Sequence, residues 1–336
     1  GSVSCGTIRL EILSSKSGFL MISKYVASSD NIKVIELDGL SWIDIERPSK
    51  EEVYGLGNIF SFHELDLEDC LSRVQLPKID EYPDYLFMVL HFPLFNKKTN
   101  LTVSSQLSVF TGRNYVVTVH SGNLRPLVRL FSECVKDTQM RFKVMGDRSS
   151  GMLVYRILDV LVDYCFPIVN KLNAMVDSLE EQIFDSRDKS VVRNISLLRR
   201  DILAYRRITR PQIGLFEILE RNPYSVLGNV NTNVYFGDLA DHMRRLWADL
   251  EDLKDVIEGL HDTHVSLISN NTTETMRVLT IIATIVLPLT VVSGLYGMNV
   301  EPLPFKDTGA GFWVVLATMG FIASAMVVFF KIRRWL

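Results

Sequence analysis

Residues 278–300 carry no charge, and the run holds the small or weakly polar residues Thr280, Thr284, Thr290, Ser293, Gly294 and Gly297. Thr290 and Gly294 are four apart, so on a helix they share a face. Such residues let helices approach closely in lipid, and they equally suit the wall of a narrow polar path. Other reactive constellations are poorer. His63-Glu64-Leu65-Asp66-Leu67 lacks the second histidine of a zinc-protease helix, and Gly55-Leu56-Gly57 lacks the rest of a dinucleotide fingerprint. His261 and His264 lie one turn apart but offer only two zinc ligands, and His264 falls on an apolar seam. No serine or cysteine sits in a nucleophile setting, so no enzyme is expected. Cys5, Cys70, Cys134 and Cys165 are far apart with no C-x-x-C spacing, which excludes a disulfide framework and fits a reducing compartment.

The elements that must hold these residues begin with two spans. One uncharged run lies between Arg277 and Glu301, and a second covers residues 309–330. Each exceeds the ~20 residues a helix needs to cross ~30 Å of hydrocarbon. Arg277 precedes the first run, and Lys331, Arg333 and Arg334 follow the second, whereas the connection holds only Lys306 against Glu301 and Asp307. The positive-inside rule then puts both termini in the cytoplasm of a multi-pass protein of the cell (inner) membrane. Trp313 and Trp335 lie near the ends of the second run, as interface anchors would. The N-terminal residues lack a charged-then-apolar pattern, so no signal peptide is expected there. A net charge of -3 gives no reason to expect nucleic acid as a partner.

Ahead of the spans, residues 1–148 alternate short β-type runs with helical ones and read as a cytoplasmic α/β domain with a mixed sheet. Strands are expected at 7–13, 19–26, 32–37, 41–45, 85–92, 103–110 and 115–120. Ser49 with Glu52, and Ser61 with Glu64, have capping-box spacing, and 124–135 is amphipathic. Residues 149–275 read as a helical stalk domain: one apolar series at 154–183, a helix over about 191–219, and a third series after a turn near Gly228-Asn229. That third series is Leu239, Met243, Leu246, Leu250, Leu253, Ile257, Leu260, His264 and Leu267, whose steps alternate four and three as in a coiled-coil seam. Nothing breaks the helix between this seam and the first span, so one helix of ~60 residues, roughly 90 Å long, is expected. The remaining parts are a first transmembrane helix at 276–300, an external loop at 301–308, and a second transmembrane helix with a basic cytoplasmic tail at 309–336.

Tyr296-Gly297-Met298-Asn299, at the end of the first span, resembles the signature of the CorA family of magnesium channels. The resemblance extends through Met276-Arg277-Val278-Leu279-Thr280 and Pro288-Leu289-Thr290, and through the basic tail Lys331-Ile332-Arg333-Arg334-Trp335-Leu336. The order of α/β domain, stalk and two C-terminal spans is also the family's. The resemblance implies an α+β membrane protein, a homo-oligomer and specifically a pentamer, that passes magnesium along with cobalt and nickel across a lipid bilayer. Two departures stand out. Phe305 occupies the place of a loop glutamate, although Glu301 and Asp307 remain, and Leu287 stands where the family often has methionine at a constriction.

By this resemblance Gly297, Met298 and Asn299 form the selectivity filter, with Thr290 and Gly294 lining the path below it. Magnesium gives up water reluctantly, so a ring of neutral Asn299 amides can hold its water shell without trapping it. Met276, Leu279 and Leu287 resemble hydrophobic constrictions that gate by dewetting. The resemblance also implies regulatory magnesium between neighbouring subunits, at Asp69 and Asp238, with Glu68 and Asp159 as a second, weaker site. Two other readings are a zinc transporter of the same superfamily and a membrane-anchored sensor or scaffold that conducts nothing.

Overall fold

A computed structural model of the chain describes residues 31–72, 75–96, 101–183, 190–222, 224–228, 230–298, 304 and 309–335. The strands expected at 7–13 and 19–26, and Asn299, Glu301, Phe305 and Asp307, lie outside the described residues. The chain divides into two compact units, Gly1–Leu260 and His261–Leu336.

The first unit is built on a six-stranded sheet in the order β1-β2-β6-β5-β4-β3. Its strands are β1 (Ile32–Leu37), β2 (Leu40–Glu46), β3 (Lys78–Glu81), β4 (Tyr85–Asn96), β5 (Leu101–Gly112) and β6 (Tyr115–His120). Asp38 and Gly39 both have positive φ, so the β1–β2 hairpin closes through the tight two-residue turn an Asp-Gly pair favours. β2 and β6 run parallel, from Ser41 opposite Tyr115 to Glu46 opposite His120, and every other pairing is antiparallel. Both faces are covered. Ile43, Ile45, Phe87, Val89, Phe110 and Val117 form a core with α1 (Lys50–Phe60) and α2 (Glu64–Leu71). Trp42, Leu86, Met88, Leu107, Val109 and Val116 belong to the larger core shared with the remaining helices of this unit.

The capping box at Ser49 and Glu52 is present at the start of α1. The one expected at Ser61 and Glu64 is not. Ser61 adopts a left-handed conformation as the C-cap of α1, and His63 caps α2 by accepting the Leu65 N–H through Nδ1. Two short elements went unread in the sequence, β3 and α4 (Thr138–Met145), which follows α3 (Arg125–Lys136). The apolar series at 154–183 is two helices, α5 (Ser150–Asp163) and α6 (Cys165–Ile183), that join at Tyr164. At the start of α5, Gly151 lies against the Leu227 carbonyl so closely that an added Cβ would meet that oxygen at 2.5 Å.

α7 (Ser190–Arg221) returns along α6, and Tyr205 donates from its hydroxyl to the Cys165 carbonyl at 2.9 Å. A 3-10 turn at Ser225–Leu227 leads into α8, Thr232–Tyr296, an unbroken helix of 65 residues. The seam from Leu239 to Leu260 is buried throughout, whereas His264 and Leu267 beyond it are only half-buried. Each fully buried leucine contributes roughly 1.5–3 kcal/mol of transfer free energy, so the seam fastens this part of α8 to the first unit.

The second unit contains the rest of α8 and α9 (Gly311–Ile332). Both are long and apolar enough to cross a membrane, and the apolar windows of both are almost wholly exposed within the chain. At one end Arg277 lies over the Trp335 ring at 6.0 Å and donates to the Arg334 carbonyl, while Trp335 stacks on Phe330.

Candidate pore and ion-sensing residues

Along the span portion of α8 and the turn residue after it, Met276, Thr280, Ala283, Leu287, Thr290, Gly294 and Gly297 recur in steps of four and three, and all are exposed. An alternating four-three spacing holds a stripe on one side of a helix. The stripe therefore groups Met276, Leu287, Thr290, Gly294 and Gly297 from the resemblance, adding Thr280 and Ala283; Leu279, also exposed, sits at its flank. Ile281 is buried and Ile285, Pro288 and Val292 are half-buried, marking a different side. The threonines on this helix do not leave hydroxyls unsatisfied: Thr280, Thr284 and Thr290 each donate to the carbonyl four residues earlier, at 2.7–2.9 Å. Their oxygens keep acceptor capacity for water or a hydrated ion. Met298 is exposed just past the helix end, next in sequence to Asn299.

The cytoplasmic carboxylates fall into two settings. Asp69, on α2, is held by Lys78 at 2.6 Å, and Lys78 also reaches Asp80 at 2.5 Å. Burial works against the Lys78 ammonium, but the hydrogen bonds to Asp69 and Asp80 outweigh it and hold its pKa above the usual range. Glu68 is exposed. In the same helix, Asp66 is buried and accepts from the hydroxyls of Tyr85 at 2.8 Å and Tyr82 at 3.3 Å, and burial raises its pKa.

Asp159 on α5 and Asp238 on α8 come together instead, with His242 as a third member. Each offers a ligand atom, and all three atoms lie within 4.8 Å of one another. The His242 Nε2 is 3.7 Å from the Asp238 carboxylate. Burial, then repulsion from Asp163 and Asp238, raises the Asp159 pKa, and only His242 works the other way. The neighbouring Tyr155 hydroxyl is pushed up to about 12 by burial and by both carboxylates. A group of acids this short of positive charge suits a divalent cation, whose charge would relieve the repulsion. His242 was missed in the sequence. An acid followed four residues later by histidine on one helix face was the available signal.

Two apolar helices following an α/β and helical body define the class: a two-span membrane protein whose first span continues a long helix of the body. The family described as CorA-like Mg2+ transporter protein matches residues 38–334, and the chain belongs to it. It is 33% identical over 305 residues to the cobalt/magnesium transport protein CorA of Thermotoga maritima, covering 88% of this chain and 83% of that one. Among solved structures, the CorA magnesium transporter from Methanocaldococcus jannaschii aligns with a TM-score of 0.77 at 24% identity, covering 90% of this chain and 94% of that one. The ZntB cytoplasmic domain from Vibrio parahaemolyticus aligns over 69% of this chain and 88% of its own, with a TM-score of 0.56 at 11% identity. These likenesses to solved structures establish the fold, and the family makes the chain a divalent-cation transporter of the membrane.

Proposed function

We propose that the chain is one subunit of a homo-oligomeric channel, a pentamer by resemblance, that passes magnesium into the cytoplasm and also admits cobalt and nickel. The observation that carries this reading is the exposed four-three stripe from Met276 to Gly297, which leads straight to Gly297-Met298-Asn299. Two spans cannot enclose water, so the stripe needs copies of itself around an axis. In that arrangement Asn299 amides form the filter, Thr290 and Gly294 line the path, and Met276, Leu279 and Leu287 form the hydrophobic gate. Glu301 and Asp307 draw cations to the outer mouth, and both termini face the cytoplasm.

Regulation follows from the carboxylates. Magnesium at Asp69 and Asp238 bridges neighbouring subunits, and a second ion uses Glu68 and Asp159. The proximity of Asp159, Asp238 and His242 supports placing an ion at the start of α8. An imidazole in the set also suits softer ions, which is why a zinc-transporting reading is kept as the competitor. Flux into liposomes separates the readings. Magnesium flux exceeding zinc flux, and lost in Asn299→Ala with the body still folded by circular dichroism, is the expected result. Zinc flux exceeding magnesium flux overturns the ion assignment. Undiminished magnesium flux in Asn299→Ala overturns the filter.

A further inference from the structure

The parallel pair β2/β6 ends in a cavity of about 780 Å³ whose lining includes none of the proposed pore or ion-sensing residues. In sheets with parallel strands, ligands settle in the crevice beyond the carboxyl ends of those strands. Here those ends are Glu46 and His120, which face each other in register. The cavity is lined by Arg47 and Pro48 after β2, by Ser121 and Asn123 after β6, by Ser104, Ser105 and Gln106 of β5, and by the end of α2. Its volume lies within the ~300–1,000 Å³ typical of small-molecule sites.

Three observations give the cavity a chemical character. Among the described residues no aspartate or glutamate lines it, and Arg47, the one permanently charged residue of that lining, has no acidic partner within salt-bridge distance. The nearby Glu46 carboxylate gives its Oε1 to Lys33 at 2.8 Å, while its Oε2 lies 3.7 Å from where a Gly122 Cβ would stand, beside the mouth. Secondly, the backbone is held in the left-handed region on both sides of the mouth. Arg47 has φ 56° and Gly122 has φ 75°, and the Arg47 Nε lies 3.5 Å from where a Gly122 Cβ would stand. A non-glycine residue in that region is strained and persists only where its surroundings impose it. Here the Arg47 N–H donates to the His120 carbonyl at 2.8 Å. The Gly122 N–H donates to His120 Nδ1 at 3.0 Å, and His120 Nε2 lies 3.1 Å from the buried Asp44. The loop that presents the guanidinium is therefore built from the core outward. Thirdly, α3 starts just beyond Asn123 with no side chain capping it. Its Arg125 N–H is taken by the Asn123 carbonyl at 2.9 Å and Pro126 has no N–H, so the guanidinium remains the main source of positive potential here.

We propose that this cavity binds a sugar phosphate, with the phosphate on Arg47 and the hydroxyls on the serines and amides. Serine hydroxyls and amide groups both donate and accept, as sugar hydroxyls require. Among the described lining residues the one aromatic ring is the His120 imidazole, whose side chain is wholly buried, so no exposed ring face is offered to a nucleobase. Its size is far beyond what phosphate alone would fill. Gln106 also ties the site to α2, because its Nε2 donates to the Asp69 carbonyl at 2.9 Å.

The test uses the full chain in detergent, in magnesium-free buffer so that sugar–phosphate complexes with the ion play no part. Ribose 5-phosphate, inorganic phosphate and ribose are titrated by calorimetry. Saturable binding of ribose 5-phosphate, at least about tenfold tighter than either fragment, is expected. Losing a charge-assisted hydrogen bond costs about 1.5–3 kcal/mol, so Arg47→Gln should weaken it tenfold or more. Ser104→Leu, which fills the cavity, should abolish it, while both variants melt at the wild-type temperature without ligand. No saturable binding at millimolar ribose 5-phosphate overturns the proposal. So does phosphate binding as tightly as ribose 5-phosphate, or binding that neither variant changes.

Discussion

α8 carries an alternating four-three series in each of its two halves, and the halves meet opposite fates. From Leu239 to Leu260 the series is buried inside its own chain, while from Met276 to Gly297 it is exposed. The spacing is the same, but the chemistry of the rows differs. The first row is large and aliphatic, and it closes against α5 to α7 within one core. The second mixes Thr280, Ala283, Thr290, Gly294 and Gly297 with Met276 and Leu287, a composition too polar to drive burial by area alone. Periodicity thus fixes which side of a helix is special. The first row has neighbouring helices of its own unit to close against, whereas in the span even Ile282, Val286 and Leu295 are exposed, so residue type alone does not set the fate of a row.

The sharpest way to break this comparison is to put one polar change into each row. Leu250→Asn buries an amide with no partner and leaves a void in the first row. It should cost about 3–5 kcal/mol and show as a large fall in the melting temperature of the body. Leu287→Asn should leave that melting temperature unchanged and instead raise ion leak in high magnesium, by wetting the constriction. If Leu287→Asn destabilises the body as Leu250→Asn does, the two rows are alike and the gate reading fails.

A smaller effect is expected at Asp238, where the buried row begins. Asp238→Lys supplies a fixed positive charge to Asp159, and to Asp69 of a neighbouring subunit, in place of the ion. Protease protection of the stalk should then persist in chelator, and flux in chelator should fall several-fold. Protection that still follows magnesium as in the wild type removes Asp238 from the sensor.

The smallest effect is one of pH. Burial and the neighbouring carboxylates raise the Asp159 pKa above its ordinary 3.8. A cation must displace that proton, so binding is favoured as pH rises through the raised pKa and weakened as pH falls through it. The magnesium midpoint for stalk protection should rise a few-fold on acidification, starting at a higher pH than an ordinary aspartate would dictate. Asp159→Asn, measured in a His242→Gln background to remove the imidazole's own response, should flatten the curve. A slope unchanged by Asp159→Asn assigns the proton elsewhere.

The sequence was most readable where one force dominated. β1 and β6 have the bounds their apolar runs suggest, and α8 runs without a break even through Pro288, inside the uncharged run, where a helix is the one way to satisfy the backbone in lipid. It was least readable where tertiary context chose between local signals. Ser61 and Glu64 have the spacing of a cap, yet Ser61 is needed to end α1, so His63 takes the role. β3 reads Lys-Ile-Asp-Glu and shows no strand pattern; it exists because β4 offers it an edge. In the candidate site, spacing alone paired Thr290 with Gly294, the resemblance added Met276, Leu287 and Gly297, and Thr280 and Ala283 joined the stripe only with the helix in view. The meeting of Asp159 with Asp238 and His242 joins α5 to α8, a long-range contact that no local pattern encodes.

The clasp between Arg277 and Trp335 bears on how the chain is made. Arg277 and its Arg334 acceptor are 57 residues apart, and ribosomes add about 5–20 residues per second. The first span must therefore enter the bilayer and wait about 3–11 s before its partner residues exist. During that interval the clasp contributes nothing, because the second span and its basic tail are still unmade, and orientation rests on the body already synthesised and on the flanking charge of Arg277. Arg277→Gln would then be a defect of biogenesis more than of the finished protein, visible as inverted or uninserted chains in pulse-labelled membranes.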